Sequence, residues 1–302
     1  MKKNIYTKTI LSPGFIIFIS IFFFPNVIAS ASELITGKDT MIWPQITATS
    51  AYVYDPIGNK VLYTKNADEI RPIASLNKLM TAAVADTLLS TSPHFRKPVK
   101  IQKFTNANRA DVTLKDGSLW GIEDLMTYML VGSSNKAAET IASSMVPRES
   151  FISLMNFTAR KLGLTNTTFT NPTGLTTHKT VGKTKTTIPS GHSTAREVAQ
   201  MLWKIIESHP GLLEATQLAH ITYSNGISAV AVDNTNKILE NFPIVVGKTG
   251  FTEDAGGNLV VVLQKTPRSH AYVIVVLGST QEGRFSDVAA LASKTLQIAG
   301  ER

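Results

Sequence analysis

The sequence predicts an α/β (α+β) protein in which both ends of the chain build one sheet and a helical subdomain is inserted between them. Three patterns carry this expectation: period-two alternation near the start, three-to-four periodicity through the middle, and two apolar β-branched runs near the end. Alternation spans residues 51–64, where Ala51 to Asp55 and Lys60 to Thr64 flank Pro56-Ile-Gly-Asn59, turn chemistry that makes a β-hairpin. From Ser75 to Leu89 apolar residues recur at helical spacing with no Gly or Pro before Pro93, so Ser75 stands in the first turn of a buried helix. Further helices are expected over Leu119 to Val131, ending at Gly132, over Lys136 to Met145 after a Ser-Ser-Asn turn, and over Pro147 to Leu162, ending at Gly163. Another opens at Thr194, where Thr-Ala-Arg-Glu197 spells a capping box, and closes before Pro210. After about residue 216 the character turns to strands. Residues 259–263 and 271–277 read as central strands joined by a polar loop, and Ser286 to Ile298 reads as an amphipathic helix starting at Ser286 or Asp287. This divides residues 32–302 into a sheet part, about 45–95 and 216–302, and a helical subdomain, about 96–215.

A chain of 302 residues, 43% hydrophobic and 17% charged, can bury a sizeable core, which excludes disordered and fibrous classes. It has no cysteine, so a disulfide scaffold, a thiolate nucleophile and Cys-ligated zinc or iron are excluded. The net charge is +8, but Lys2, Lys3 and Lys8 supply three of these, and no basic cluster with interleaved aromatics remains to suggest nucleic acid as a partner. Residues 1–31 read as an export signal: those lysines, an apolar run over 15–24, then Ala29-Ser30-Ala31 as a cleavage site. The run is short for a spanning helix and is followed by Pro25, so cleavage is the expectation and an uncleaved anchor the alternative. The mature chain, from about Ser32, is then expected outside the cytoplasmic membrane, in the periplasm or on the extracellular face, touching membrane only through an uncleaved leader.

The six histidines are scattered without an i, i+4 pair, so no metal and no cofactor are expected, and Gly-x-Ser-x-Gly and Walker loops are absent. What remains is a serine with a lysine partner. Ser75 and Lys78, at i, i+3, project from one helix face at a positive helix N-terminus. Ser-x-x-Lys alone means little, because Ser133 to Lys136 matches it too and chance gives about two matches in such a chain. Order supplies the specificity: Ser75-x-x-Lys78, then Ser133-Ser134-Asn135 in a turn between helices, then Lys248-Thr249-Gly250 opening the strand-rich region.

This succession resembles the penicillin-recognising serine enzymes. Residues 73–82 and 247–260 resemble the active-serine segment and third-motif strand of the low-molecular-mass penicillin-binding proteins, the serine D-alanyl-D-alanine carboxypeptidases. Phe169-Thr-Asn-Pro-Thr-Gly-Leu175 and residues 193–199 are similar to further family segments. The resemblance runs from about residue 45 to the end and implies the β-lactamase/transpeptidase-like fold, an antiparallel sheet flanked by helices with an inserted helical subdomain. It implies peptidoglycan stem peptides ending in D-Ala-D-Ala as substrate and β-lactam antibiotics as covalent inhibitors. Ser75 would attack the D-Ala-D-Ala carbonyl, Lys78 would take its proton, aided by a second cation at Lys248, and Ser133 would pass a proton to the leaving amine. Asn135 would hold the substrate amide and contact Lys78, and Lys248 would set the positive field. Thr249 would bind the terminal carboxylate with Arg284, Gly250 completes the third motif, and the N–H groups of Ser75 and Phe251 would form the oxyanion hole.

Two residues depart from the family pattern: Lys136, where an acidic residue is more usual, and Phe251, where histidine is frequent. A cation at 136 is mildly unfavourable beside a helix N-terminus. The chain resembles the short forms without a C-terminal domain, some of which cut cross-links as endopeptidases. Two other readings compete, a β-lactamase and a penicillin-binding sensor or pseudoenzyme. The first wants a Glu-x-x-x-Asn segment between the second and third motifs, the second wants transmembrane segments, and neither is found in residues 32–302.

Overall fold

The computed structural model describes residues 42–105, 108–181, 184–188, 190–224, 229–266 and 269–300. The expected export leader lies outside them, and the elements below belong to the unit that begins at Trp43. Five strands form the main sheet: β1 (Ser50–Asp55), β2 (Lys60–Lys65), β3 (Ile244–Thr252), β4 (Gly256–Gln264) and β5 (Ala271–Ser279), in the order β3-β4-β5-β1-β2. Every pairing is antiparallel, and β1 joins the C-terminal strands along Ser50↔Leu277 to Tyr54↔Val273. One sheet is thus built from both ends of the chain, as expected.

The β-branched runs make central strands because both faces are covered. On one face Val260, Val262, Val273 and Val275 meet the helices from the middle of the chain, while Leu259, Val261, Ile274 and Val276 meet the C-terminal helix on the other. The helices are α1 (Asn77–Thr91), α2 (Ile122–Gly132), α3 (Asn135–Met145), α4 (Arg148–Lys161), α5 (Ala195–Ser208) and α6 (Gly283–Gly300). Residues 77–85 of α1 are all buried, which its small side chains Thr81, Ala82, Ala83 and Ala85 permit, and α1 packs against α2, α3, α4 and α5. Among the described residues no helix is long and apolar enough to cross a membrane.

Several expected boundaries move. Leu119–Trp120 pairs with Val99–Lys100 as a short ribbon, and Gly121, extended at ψ 143°, delays the start of α2 to Ile122. The strands after residue 216 begin with a separate two-stranded ribbon, His220–Ser224 with Ala229–Asp233, and the third motif lies inside β3 rather than at the opening of the strand region. α6 starts at Gly283, three residues before Ser286, which puts Arg284 in its first turn. Only half of the capping box forms: Thr194 Oγ1 accepts from the Glu197 N–H at 3.1 Å, but the Glu197 carboxylate takes up Asn166 N and Thr167 Oγ1 instead.

Candidate active site

Ser75 lies in a 3-10 turn, Ala74–Leu76, that runs straight into α1. Ala74 has φ +48°, an uncommon conformation for a residue with a Cβ. Two glycines clamp this turn. A Cβ on Gly174 (φ +80°) would lie 2.0 Å from Ala74 O, and one on Gly250 would lie 2.9 Å from Ile73 O and 3.2 Å from Ser75 N. Only backbone fits at either position, and the half-buried Ser75 is left facing the cleft.

One turn further, Lys78 is fully buried and its Nζ reaches Ser75 Oγ at 2.8 Å, Asn135 Oδ1 at 2.8 Å and Thr173 O at 2.7 Å. Burial lowers the amine to about 7, against the opposing pull of the Asp111 and Glu139 carboxylates. Burial is the leading cause, and the like charges of Lys78 and Lys248 repel one another in the same sense. Lys248 is also buried, and its amine is held well below the usual lysine range first by burial and then by the charges of Lys78 and Arg284. Two of the Lys78 partners, the Asn135 and Thr173 oxygens, can only accept hydrogen bonds. A neutral Lys78 therefore donates its two protons to them and aims its lone pair at the Ser75 hydroxyl.

The second motif is a tight turn between α2 and α3. Ser133 ends α2 in the left-handed conformation (φ +59°), and Ser134 caps α3 by accepting from Ala137 N at 2.9 Å. Beneath it the fully buried Asp111 accepts from Ser134 Oγ and from Lys136 N at 2.9 Å, while Asn108 Nδ2 donates to Ser133 O. The turn thereby delivers Asn135 to Lys78 and Ser133 Oγ to Lys248 Nζ, 2.9 Å away. The cation at 136 is accommodated rather than left against the helix N-terminus: its amine turns to Leu114 O at 2.8 Å and Asp116 Oδ1 at 2.9 Å.

β3 forms the opposite wall. Thr249 Oγ1 meets Thr235 Oγ1 at 2.5 Å, and Phe251 is 39% exposed at the cleft mouth. Arg284 comes from behind, buried, with Nη1 on Gly250 O at 2.7 Å and its plane over Phe285, 4.7 Å from the ring centroid. Ser75, Lys78, Ser133, Asn135 and Lys248 thus converge through side chains, Thr249, Gly250 and Phe251 line the wall, and Arg284 reaches the group through the Gly250 carbonyl.

A family model described as D-alanyl-D-alanine carboxypeptidase matches residues 37–281. The chain belongs to the D-alanyl-D-alanine carboxypeptidase family. It is accordingly a serine DD-peptidase, and every motif residue from Ser75 to Phe251 lies inside the matched stretch, with Arg284 just beyond it. The D-alanyl-D-alanine endopeptidase of Escherichia coli (strain K12) is 32% identical over 245 residues, 79% of this chain and 73% of that protein. The D-alanyl-D-alanine carboxypeptidase DacC of the same organism is 30% identical over 269 residues, 85% of this chain and 63% of that protein. Among solved structures, penicillin-binding protein D2 from Listeria monocytogenes in its ampicillin-bound form superposes with a TM-score of 0.71 at 29% identity, covering 86% of this chain and 99% of that one.

Asp111 and Thr235 escaped the sequence reading, and Asn171, Thr173 and Gly174 entered it only within the family-like segment 169–175, without a role. The family-like segment Asn171-Pro-Thr-Gly174 carries turn chemistry, and Asn171 Oδ1 does accept from Thr173 N, Thr173 Oγ1 and Gly174 N. Its meeting with Lys78, 95 residues away in sequence, left no local signal.

Proposed function

We infer that Ser75 is the nucleophile of this peptidase and Lys78 its general base. The observation that carries this is the Lys78 amine, held by two acceptor-only oxygens and set 2.8 Å from Ser75 Oγ. Ser75 Oγ attacks the carbonyl of the penultimate D-Ala of a peptidoglycan stem peptide as its proton passes to Lys78. The N–H groups of Ser75 and Phe251 receive the oxyanion. The C–N bond then breaks as Ser133, hydrogen-bonded to Lys248, donates a proton to the departing D-Ala amine and recovers one through the lysines. Water, deprotonated by Lys78, cleaves the ester and regenerates Ser75. Asn135 anchors Lys78 through Oδ1 and offers Nδ2 to the substrate amide. Thr249 binds the terminal carboxylate, Gly250 keeps β3 close to Ser75, and Arg284 places positive charge behind both.

β-Lactams enter as covalent inhibitors by the same acylation. Among the described residues no carboxylate is hydrogen-bonded to Ser75 or Lys78, and the Thr173 carbonyl occupies the third position around the amine. That arrangement favours slow loss of a penicilloyl group over β-lactamase turnover. The name of the E. coli relative, an endopeptidase, supports a second substrate form, the cross-link between two stem peptides. Both substrates belong to the cell wall, which fits removal of the 1–31 leader on export and a mature peptidase domain over 32–302.

Intact-mass analysis of residues 32–302 after incubation with a penicillin, a D-Ala-D-Ala peptide and a cross-linked dimer tests this. A stable adduct on Ser75, lost in Ser75→Ala, with release of D-Ala or of stem monomers, is the expected result. Unchanged labelling of Ser75→Ala would overturn the assignment, and rapid penicillin turnover would restore the β-lactamase.

A further inference from the structure

The loop before β3 carries a residue that the three motifs do not include. Thr235, half-buried, spans the two walls of the cleft: its N–H donates to Val131 O in the last turn of α2, and its hydroxyl meets that of Thr249 on β3 at 2.5 Å. Asparagines hold it from either side. Asn234 Nδ2 donates to Thr216 O and Leu218 O, both at 2.9 Å, and the buried Asn236 lies against Gly247, where a Cβ would come within 2.7 Å of Asn236 Nδ2. Thr216 Oγ1 in turn accepts from Gly247 N at 3.1 Å, so the loop is fastened to β3 one residue before the third motif begins.

A hydroxyl has one proton to give. A substrate carboxylate is acceptor-only, so Thr249 must spend its proton on the carboxylate and can serve Thr235 only as an acceptor. The direction of the Thr235–Thr249 bond is then fixed, with Thr235 donating. We propose that Thr235 is a positioning residue for carboxylate recognition, orienting the Thr249 hydroxyl so that its proton points at the carboxylate of the substrate or β-lactam. This rests on the reading of Thr249 as the carboxylate contact. Without Thr235 the Thr249 hydroxyl turns freely and the carboxylate loses an oriented donor, while groups lacking that charge lose little.

The test compares acylation of Ser75 by benzylpenicillin and by its methyl ester, followed by intact mass, in the wild type and in Thr235→Val, Thr235→Ser and Thr249→Val. Thr235→Val is expected to slow acylation by the acid about threefold to tenfold, the scale of one net hydrogen bond, and to leave the ester within about twofold. Thr235→Ser should restore the preference for the acid. Equal slowing of acid and ester in Thr235→Val, or no change in either, overturns the proposal. If Thr249→Val narrows the gap between acid and ester and Thr235→Val does not, the carboxylate reading survives and the role of Thr235 falls. If neither narrows it, both fall. Thr235→Ala replaces the valine variant should the latter not fold, with the same outcomes.

Discussion

The two faces of the five-stranded sheet bury different chemistry. Against α6 the filling is almost wholly apolar, with Val288, Leu291 and Ala292 fully buried against the outer face. Its buried carboxylate, Asp287, is fully employed: it accepts from Thr47 N and Ala48 N at 2.8 Å and from Ser279 Oγ at 2.6 Å, pinning the start of the unit to the helix. Against α1 to α5 the buried apolar cluster is the larger of the two, but Lys78 and Lys248 are buried in it beside Asp111, and Arg284 approaches the same site from the first turn of α6. Burying an amine without a carboxylate in contact costs stability, and the cost appears as a lowered amine pKa. Both faces hold the fold together, but one of them gives up stability to keep a lysine neutral where a serine needs a base.

Substitutions on the two faces should therefore fail in different assays. Lys78→Ala is expected to show the largest effect, a loss of about two to four orders of magnitude in the rate of Ser75 acylation, with the fold retained in circular dichroism. Acylation within tenfold of the wild type would erase the distinction between the faces. Leu291→Ala, on the α6 side, should lower unfolding stability in urea by about 2–5 kcal/mol, because a fully buried leucine leaves a cavity, while native-state acylation stays unchanged. The pH dependence of stability sharpens the contrast. Lys78 has a folded value of about 7 against 10.5 when solvated, so between these limits the unfolded chain binds the extra proton and stability rises with pH. That contribution should vanish in Lys78→Ala and persist in Leu291→Ala. The smallest effect is expected at the start of α5, in Thr194→Ala, where loss of the one capping bond that forms costs about 0.5–2 kcal/mol and leaves chemistry untouched.

Much of the structural face was legible in the sequence, because its determinants are local. The hairpin before Lys65, the two β-branched runs and the amphipathic last helix announce themselves by period and turn residues, and both ends of the chain do meet in one sheet. Boundaries moved where a single residue or a pairing partner decides: Gly121 delays α2, and Leu119–Trp120 is a strand only because Val99–Lys100 lies beside it. The second Ser-x-x-Lys match shows the limit of spacing as a signal. Lys136 turns its amine to Leu114 O and Asp116, away from Ser133, whereas Lys78 turns to Ser75. The residues that hold the site together, Asp111, Thr173 and Thr235, reach their partners across 25, 95 and 14 positions, and no local pattern encodes such meetings.

If a neutral Lys78 takes the Ser75 proton, acylation of Ser75 by a penicillin must follow the titration of that amine. Below its pKa the amine is protonated and has no lone pair to offer, so the rate should rise about tenfold per pH unit on the acid side and level off above a midpoint of about 7. A rate that is flat between pH 5 and 8, or a limb near 7 that survives in Lys78→Ala, would contradict it.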